Sequence, residues 1–208
     1  MALIYSAQLK PSKIDLLREW VPGQSWVGST DTSGLEHIGA YRFDDPAGEV
    51  GIETHLLRAV DGTILQVPLT YRAAPLVDAD AFLIRTMDHS VLGERWVYDA
   101  CGDPVYVRAL ATTIIAGGSE ATLEFANPDD AREVTTHVVG SGAAGSDVPE
   151  IGAATCSSAA EGAKISAGTT ELTVVRVVDP ERTSGGFTLT GTWPGQADPA
   201  VLASLRIA

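Results

Sequence analysis

The chain has 208 residues, 45% of them hydrophobic, with 14 Lys and Arg against 27 Asp and Glu for a net charge of −13. A mean hydropathy of +0.10 and a pI near 4.5 describe a chain able to bury a core, which excludes disorder, and its negative field repels phosphate backbones and anionic lipid. Nucleic acid and membrane are therefore excluded as partners; no apolar run has spanning length, and Met1 to Lys10 lack a basic start with a long apolar stretch, which predicts a cytoplasmic location.

In chain order, Ser12 with Asp15 three residues on opens a helical pattern that puts Ile14, Leu17 and Val21 on one face, and Pro22-Gly23 ends it. Three extended runs follow: His37 to Asp44, Glu49 to Val60 and Thr63 to Arg72, joined by turns at Asp45 to Gly48 and at Asp61-Gly62. They read as an antiparallel meander. Asp61-Gly62 predicts a two-residue type I′ turn with Val60 opposite Thr63, which would place Ile52, Leu56 and Val60 on the same side as Leu65, Val67, Leu69 and Tyr71. Pro68 cannot donate to a ladder, so its strand is expected at an edge or bulged.

Asp103-Pro104 predicts a helix cap for residues 104 to 116, stopped by Gly117-Gly118. Extended runs follow at Ala121 to Ala126, Glu133 to Val139, Thr170 to Val178 and Phe187 to Trp193, and Asp198-Pro199 suggests a short terminal helix through Leu205. Gly140 to Gly168, rich in Gly, Ala and Ser, reads as a loop. The fold class is α+β, mainly antiparallel β. Residues 1 to 102 form a helix-plus-meander domain, and residues 103 to 208 form a β-rich second half with its helix at 104 to 116.

Three segments together resemble the N-terminal cap domain of maltokinases and related aminosugar kinases: Gln24-Ser25-Trp26-Val27-Gly28, the return strand Gly62 to Arg72, and Trp96-Val97-Tyr98-Asp99-Ala100 ahead of Asp103-Pro104. The resemblance spans residues 12 to 126. It implies a cystatin-like curved antiparallel sheet with a helix, followed by a region resembling part of a kinase N-lobe. In full-length members a strand lysine meets the phosphates, whereas the corresponding strand here, Leu172 to Val178, carries Arg176, which does not carry over as that lysine. The sequence ends without the helical lobe whose aspartates place Mg²⁺ and the acceptor hydroxyl, so the resemblance implies no self-sufficient kinase.

Other chemical motifs have bland readings. Gly140-Ser141-Gly142-Ala143-Ala144-Gly145 matches a phosphate-loop pattern, but Ser146-Asp147-Val148-Pro149 after it forbids the helix whose N-terminus would bind phosphate. His37 and His55 face each other across the first hairpin as a solvated pair, with Glu36 and Glu53 expected on the opposite face, so no metal site is predicted. His89 and His137 are structural, and Cys101 and Cys156 are reduced thiols. No nucleophile elbow or metalloprotease pair occurs, so no catalytic residue and no cofactor is assigned.

The four tryptophans are mainly core residues. Tyr71 with Arg72, and Trp96 with Tyr98 and Asp99, form the candidate polar-aromatic binding set, for a protein partner, a second copy of the chain or a sugar ring. The first expectation is a non-catalytic accessory or regulatory module linked to maltose, trehalose or α-glucan metabolism. The alternatives are a sugar- or nucleotide-binding protein, or a degenerate or split sugar kinase subunit.

Overall fold

The structure is a computed structural model that describes residues 2–4, 7–127, 129, 133–152, 154–159 and 162–207. After short strands β1 (Ala2–Ile4) and β2 (Leu9–Lys10) comes helix α1 (Lys13–Trp20), capped at Ser12, whose Oγ accepts the Asp15 N–H at 3.2 Å. Two 3-10 turns, Val21–Gly23 and Ser25–Val27, tuck Val21, Trp26 and Val27 beneath the sheet that follows. That sheet takes β3 (Glu36–Phe43), β4 (Gly51–Arg58), β5 (Ile64–Arg72), β6 (Leu83–His89) and β7 (Gly93–Asp99), in the order β2-β6-β7-β5-β4-β3, with antiparallel pairing throughout.

Helix α2 (Pro104–Ile115) follows, then β8 (Leu123–Phe125), which pairs with β1 in parallel. The remaining strands are β9 (His137–Gly140), β10 (Thr155–Ala159), β11 (Gly162–Ala167), β12 (Thr170–Val174), β13 (Val177–Val178), β14 (Phe187–Trp193) and β15 (Gln196–Ile207). All but β13 form a second antiparallel sheet, ordered β10-β11-β12-β15-β14-β9; β13 joins the first sheet beside β5. Among the described residues no helix is long and apolar enough to cross a membrane.

Both faces of the first sheet are covered. Leu57, Leu65, Val67, Leu69, Met87 and Val97 pack on one side with Leu16, Leu17, Val21 and Trp26. On the other side Tyr41, Phe43, Ile52 and Leu56 join Tyr106, Leu110 and Ile114 of α2 and Leu172, Leu189, Leu202 and Leu205 of the second sheet in one cluster. Gln66, fully buried, ties the two sheets together: its amide donates to the carbonyls of Val175 at 2.8 Å and Leu202 at 2.9 Å, and its oxygen accepts from Tyr41 Oη at 2.9 Å. A buried side-chain amide with these contacts meets the requirement that interior polar groups be paired.

Helix α1, the antiparallel meander and α2 lie where periodicity and capping place them. The hairpin between β4 and β5 differs by one residue. The Ala59 N–H donates to Thr63 O at 2.8 Å and the Gly62 N–H to Ala59 O at 3.0 Å, so the loop is Val60-Asp61-Gly62. Only Gly62, at φ +88, takes the left-handed conformation, because Asp61 Oδ1 accepts the Thr63 N–H at 2.9 Å and stays outside it. The slip reverses the faces: Leu57, His55 and Glu53 pair with Leu65, Val67 and Leu69, while Ile52 and Leu56 point to α2 and Val60 is 62% exposed.

Pro68 is interior rather than at an edge. Strand β7 pairs with β5 only over Leu69 to Arg72 and β13 only over Ile64 and Leu65, so Pro68 falls in the gap between them. Since the Gln66 N–H points to that side, toward Arg176 O at 2.8 Å, a donor two residues on would face the same gap. The run Thr170 to Val178 breaks there, with Val175 and Arg176 crossing from one sheet to the other.

Two further expectations are overturned. The C-terminal segment is strand β15, not a helix, because Gly195 at φ +90 turns the chain back onto β14, and Leu202 and Leu205 alternate into the core around a bulge. The segment 140 to 168 contains the β10–β11 hairpin instead of being a loop. Its opening glycines cap a helix C-terminus. Gly142 and Ala143 donate to Ile114 O and Ile115 O at 2.9 and 3.0 Å, and a Cβ on Gly142 would lie 1.9 Å from Ile115 O.

Candidate functional site

On the α1 side of the first sheet, alternation brings Glu53 and His55 onto one face with Tyr71, against the expectation that Glu53 would point away from the histidines. Glu53 is ion-paired to Lys13, the first residue of α1, and to Arg42 at 3.1 Å; Lys13 Nζ also lies 5.3 Å from the Tyr71 ring centre. His55 Nε2 is 3.2 Å from Tyr71 Oη and 3.6 Å from Glu53 Oε2, and its Nδ1 is 3.1 Å from His37 Nε2. A hydrogen-bonded run thus reaches from exposed His37 through buried His55 to Tyr71.

Burial is the largest influence on Glu53 and pushes its carboxyl up, but the charges of Lys13 and Arg42 outweigh it and hold the group well below the usual carboxylate range. Burial drives His55 down to about 3 against the pull of Glu53, so its imidazole is neutral. Tyr71 keeps its proton, pushed well up by burial and then by the Glu53 carboxylate. Among the described residues no group of three or more His, Cys, Asp or Glu side chains is placed to hold a metal ion.

On the opposite face of the same sheet, toward α2, Arg72, Trp96 and Tyr98 come together, since Arg72 pairs with Trp96 and Thr70 with Tyr98. Arg72 is fixed by two bonds to fully buried Asp103, Nε and Nη2 each at 2.7 Å. Asp103 also accepts from Thr70 Oγ1 at 2.8 Å and from the Val105 N–H at 2.9 Å, which makes it the cap of α2 as well as the anchor of the strand. Tyr98 Oη receives the Leu76 N–H at 2.8 Å and so pins the loop between β5 and β6. That loop presents Val77, 82% exposed, beside Asp78 at φ +59, and β6 then adds Leu83, 37% exposed and paired with Tyr98.

Between these two regions lies a buried guanidinium. Arg176 Nη2 donates to Asp99 at 2.5 and 2.6 Å and to Cys101 Sγ at 3.2 Å, while the Trp26 ring lies 5.2 Å from Arg176 Cζ. The side chain is 2% exposed and bound to a carboxylate, which gives Arg176 a structural position unlike that of a phosphate-facing lysine.

The five residues singled out from the sequence are therefore divided. Arg72 and Trp96, both half-buried, come together with Tyr98, whose ring is in the core and whose hydroxyl holds a loop. Tyr71 lies on the opposite face in the Glu53 network, and Asp99 is the partner of Arg176. Adjacent strand residues alternate faces, so the separation of Tyr71 from Arg72 was readable from the sequence. Sequence reasoning missed Val77, Leu83, Lys13 and Arg42; no local motif marks them, because Lys13 on α1 and Arg42 on β3 reach Glu53 on β4 only once the helix and sheet are assembled, and the exposure of Val77 and Leu83 is set by the fold.

Comparison with known proteins adds one positive finding. No curated protein matches the chain. Residues 20–103, from the end of α1 to the cap of α2, match the family model of the maltokinase N-terminal cap domain, and over that stretch the chain is similar to that family.

Proposed function

We propose that the chain is a non-catalytic accessory module of maltose, trehalose or α-glucan metabolism, acting in the cytoplasm by docking an enzyme of that metabolism. The observation that carries this reading is the cap-domain match over residues 20–103, which contains every element of the docking region described above. In this reading residues 1 to 102 are the docking unit and residues 103 to 208 the support. The second half's likeness to part of a kinase N-lobe is part of the same proposal. Arg72, Trp96, Leu83 and Val77 supply the contact types that concentrate binding energy, an arginine, a tryptophan and exposed aliphatic groups. Asp78 and Asp80 beside Val77 call for a partner with a basic rim around an apolar centre.

The test is sedimentation velocity and calorimetry of the purified chain mixed with purified maltose- and α-glucan-metabolising enzymes. The expected result is saturable binding to one of them that weakens tenfold or more in Trp96→Ala and in Val77→Asp/Leu83→Asp, with unchanged thermal melts. Binding of none of them, or binding indifferent to these variants, overturns the reading. Saturable binding of free maltose or trehalose instead would favour a sugar-binding protein.

A further inference from the structure

Cys101 and Cys156, 55 positions apart in sequence, lie on two elements that pack together in the fold and within one core cluster. Cys101 lies in the 3-10 turn Ala100–Gly102 that links β7 to the cap of α2, and it is 1% exposed. Cys156 is the second residue of β10; it is half-buried and packs against the same core cluster. Arg176 Nη2 stands 3.2 Å from Cys101 Sγ, and the turn that carries Cys101 packs on β10. Among the described residues β10 is the outer strand of its sheet and is bonded only to β11, so it can shift toward the turn without breaking a second ladder. From this arrangement we infer that Cys101 and Cys156 are a redox-active dithiol, oxidised by a hydroperoxide to an intramolecular disulfide that staples the turn before α2 to the second sheet.

The two thiols are set for different roles. The neighbouring Cys101 thiol lowers the Cys156 thiol, outweighing burial and the Asp99 carboxylate, which both raise it. Burial pushes Cys101 well up, so it holds its proton. Cys156 is the more accessible and more acidic sulfur and therefore attacks first. Its thiolate takes the terminal oxygen of hydrogen peroxide, the O–O bond breaks, and the released hydroxide takes up the thiol proton as water, leaving a sulfenic acid. Cys101 sulfur then attacks Cys156 sulfur. The S–O bond breaks and hydroxide leaves with the Cys101 proton as a second water. Two thiols and one peroxide give one disulfide and two waters, with two electrons passing from sulfur to peroxide oxygen. The positive charge of Arg176 beside Cys101 favours the thiolate character that develops as the second step proceeds.

The experiment uses the full chain, fully reduced and then exposed to hydrogen peroxide. Thiols are counted after denaturation, and non-reducing peptide mapping by mass spectrometry locates any cross-link. The expected result is that both thiols disappear together, that a peptide pair joining Cys101 to Cys156 shows the loss of two hydrogens, and that dithiothreitol restores both thiols. Closing this loop should raise the thermal midpoint by about 5–15 °C. In Cys101→Ser the oxidation should stop at a sulfenic acid on Cys156 that dimedone traps, and in Cys156→Ser the buried Cys101 should stay unreactive. Three outcomes would overturn the inference: both thiols persisting while free cysteine in the same tube is consumed, cross-links only between chains, or Cys156 passing to sulfinic acid in the wild type with no bond to Cys101.

Discussion

Replacing Asp103 by alanine tests how the first sheet is fastened to α2. The carboxylate is fully buried and accepts four bonds: two from Arg72, one from Thr70 and one from the Val105 N–H. Loss of the cap costs about 1 kcal/mol. A Thr70 hydroxyl left buried without its acceptor costs about 1 kcal/mol, and an unpaired Arg72, whose side chain is 18% exposed and rehydrates in part, about 1–2 kcal/mol. The total destabilisation is then about 3–4 kcal/mol, which at a urea m-value of about 2 kcal/mol/M lowers the midpoint by roughly 1.5–2 M. Asp103→Asn keeps an oxygen for the Val105 N–H and Arg72 Nη2, but its NH2 replaces the oxygen that accepts from Thr70 and Arg72 Nε, so it should recover only the cap's share of the loss, about 1 kcal/mol. Urea titration followed by tryptophan fluorescence reads both variants. A midpoint shift under about 0.5 M for Asp103→Ala, or equal shifts for the two variants, would refute the idea that one carboxylate serves as both cap and strand anchor.

Two further tests address other joints of the fold. Gly142→Ala places a Cβ against the Ile115 carbonyl, where neither backbone can yield cheaply, and should destabilise by about 2–4 kcal/mol while Gly145→Ala, in open space but at φ +83, costs only about 1 kcal/mol; chemical denaturation of the pair checks the ranking. His55 has a folded-state value of about 3 against an ordinary value of 6.5, so between those values the unfolded chain binds the proton and the folded chain does not. Its contribution to stability is complete above pH 6.5 and is lost as pH falls toward 3, by at most about 1.4 kcal/mol per pH unit. Below the ordinary carboxylate range, loss of the depressed Glu53 carboxylate adds to the fall. Stability measured from pH 7 to 4 should decline with a slope near one proton and flatten in His55→Gln; an unchanged slope in that variant would show that His55 does not titrate as described.

Much of the architecture was legible locally. Ser12 and Asp103 announce both helices, because a cap needs only a side-chain oxygen beside a few free N–H groups. Period two marks the meander. The same local rules misled at Asp198-Pro199, where a cap-like pair lies inside β15, since the hairpin onto β14 outweighs a weak helix signal. They also misled at the β4–β5 hairpin, where an aspartate side chain bound Thr63 and lengthened the turn by one residue.

Of the candidate site, composition and pattern marked Arg72, Trp96 and Tyr98, and the resemblance was carried by residues that the family match at 20–103 includes. Their grouping was a different matter. Which sheet face a residue occupies depends on register, and register depends on partners far along the chain: Arg176 reaches Asp99, Gln66 reaches Leu202, and Cys156 approaches Cys101. The amino-acid sequence by itself determined the charge, the helices and the antiparallel strands, because those follow from composition and from interactions within a few residues. The pairing of buried Arg176 with Asp99, the approach of the two cysteines and the gathering of Trp96 and Tyr98 beside Arg72 were decided only in the tertiary structure, where closing long loops brings together groups that no local spacing relates.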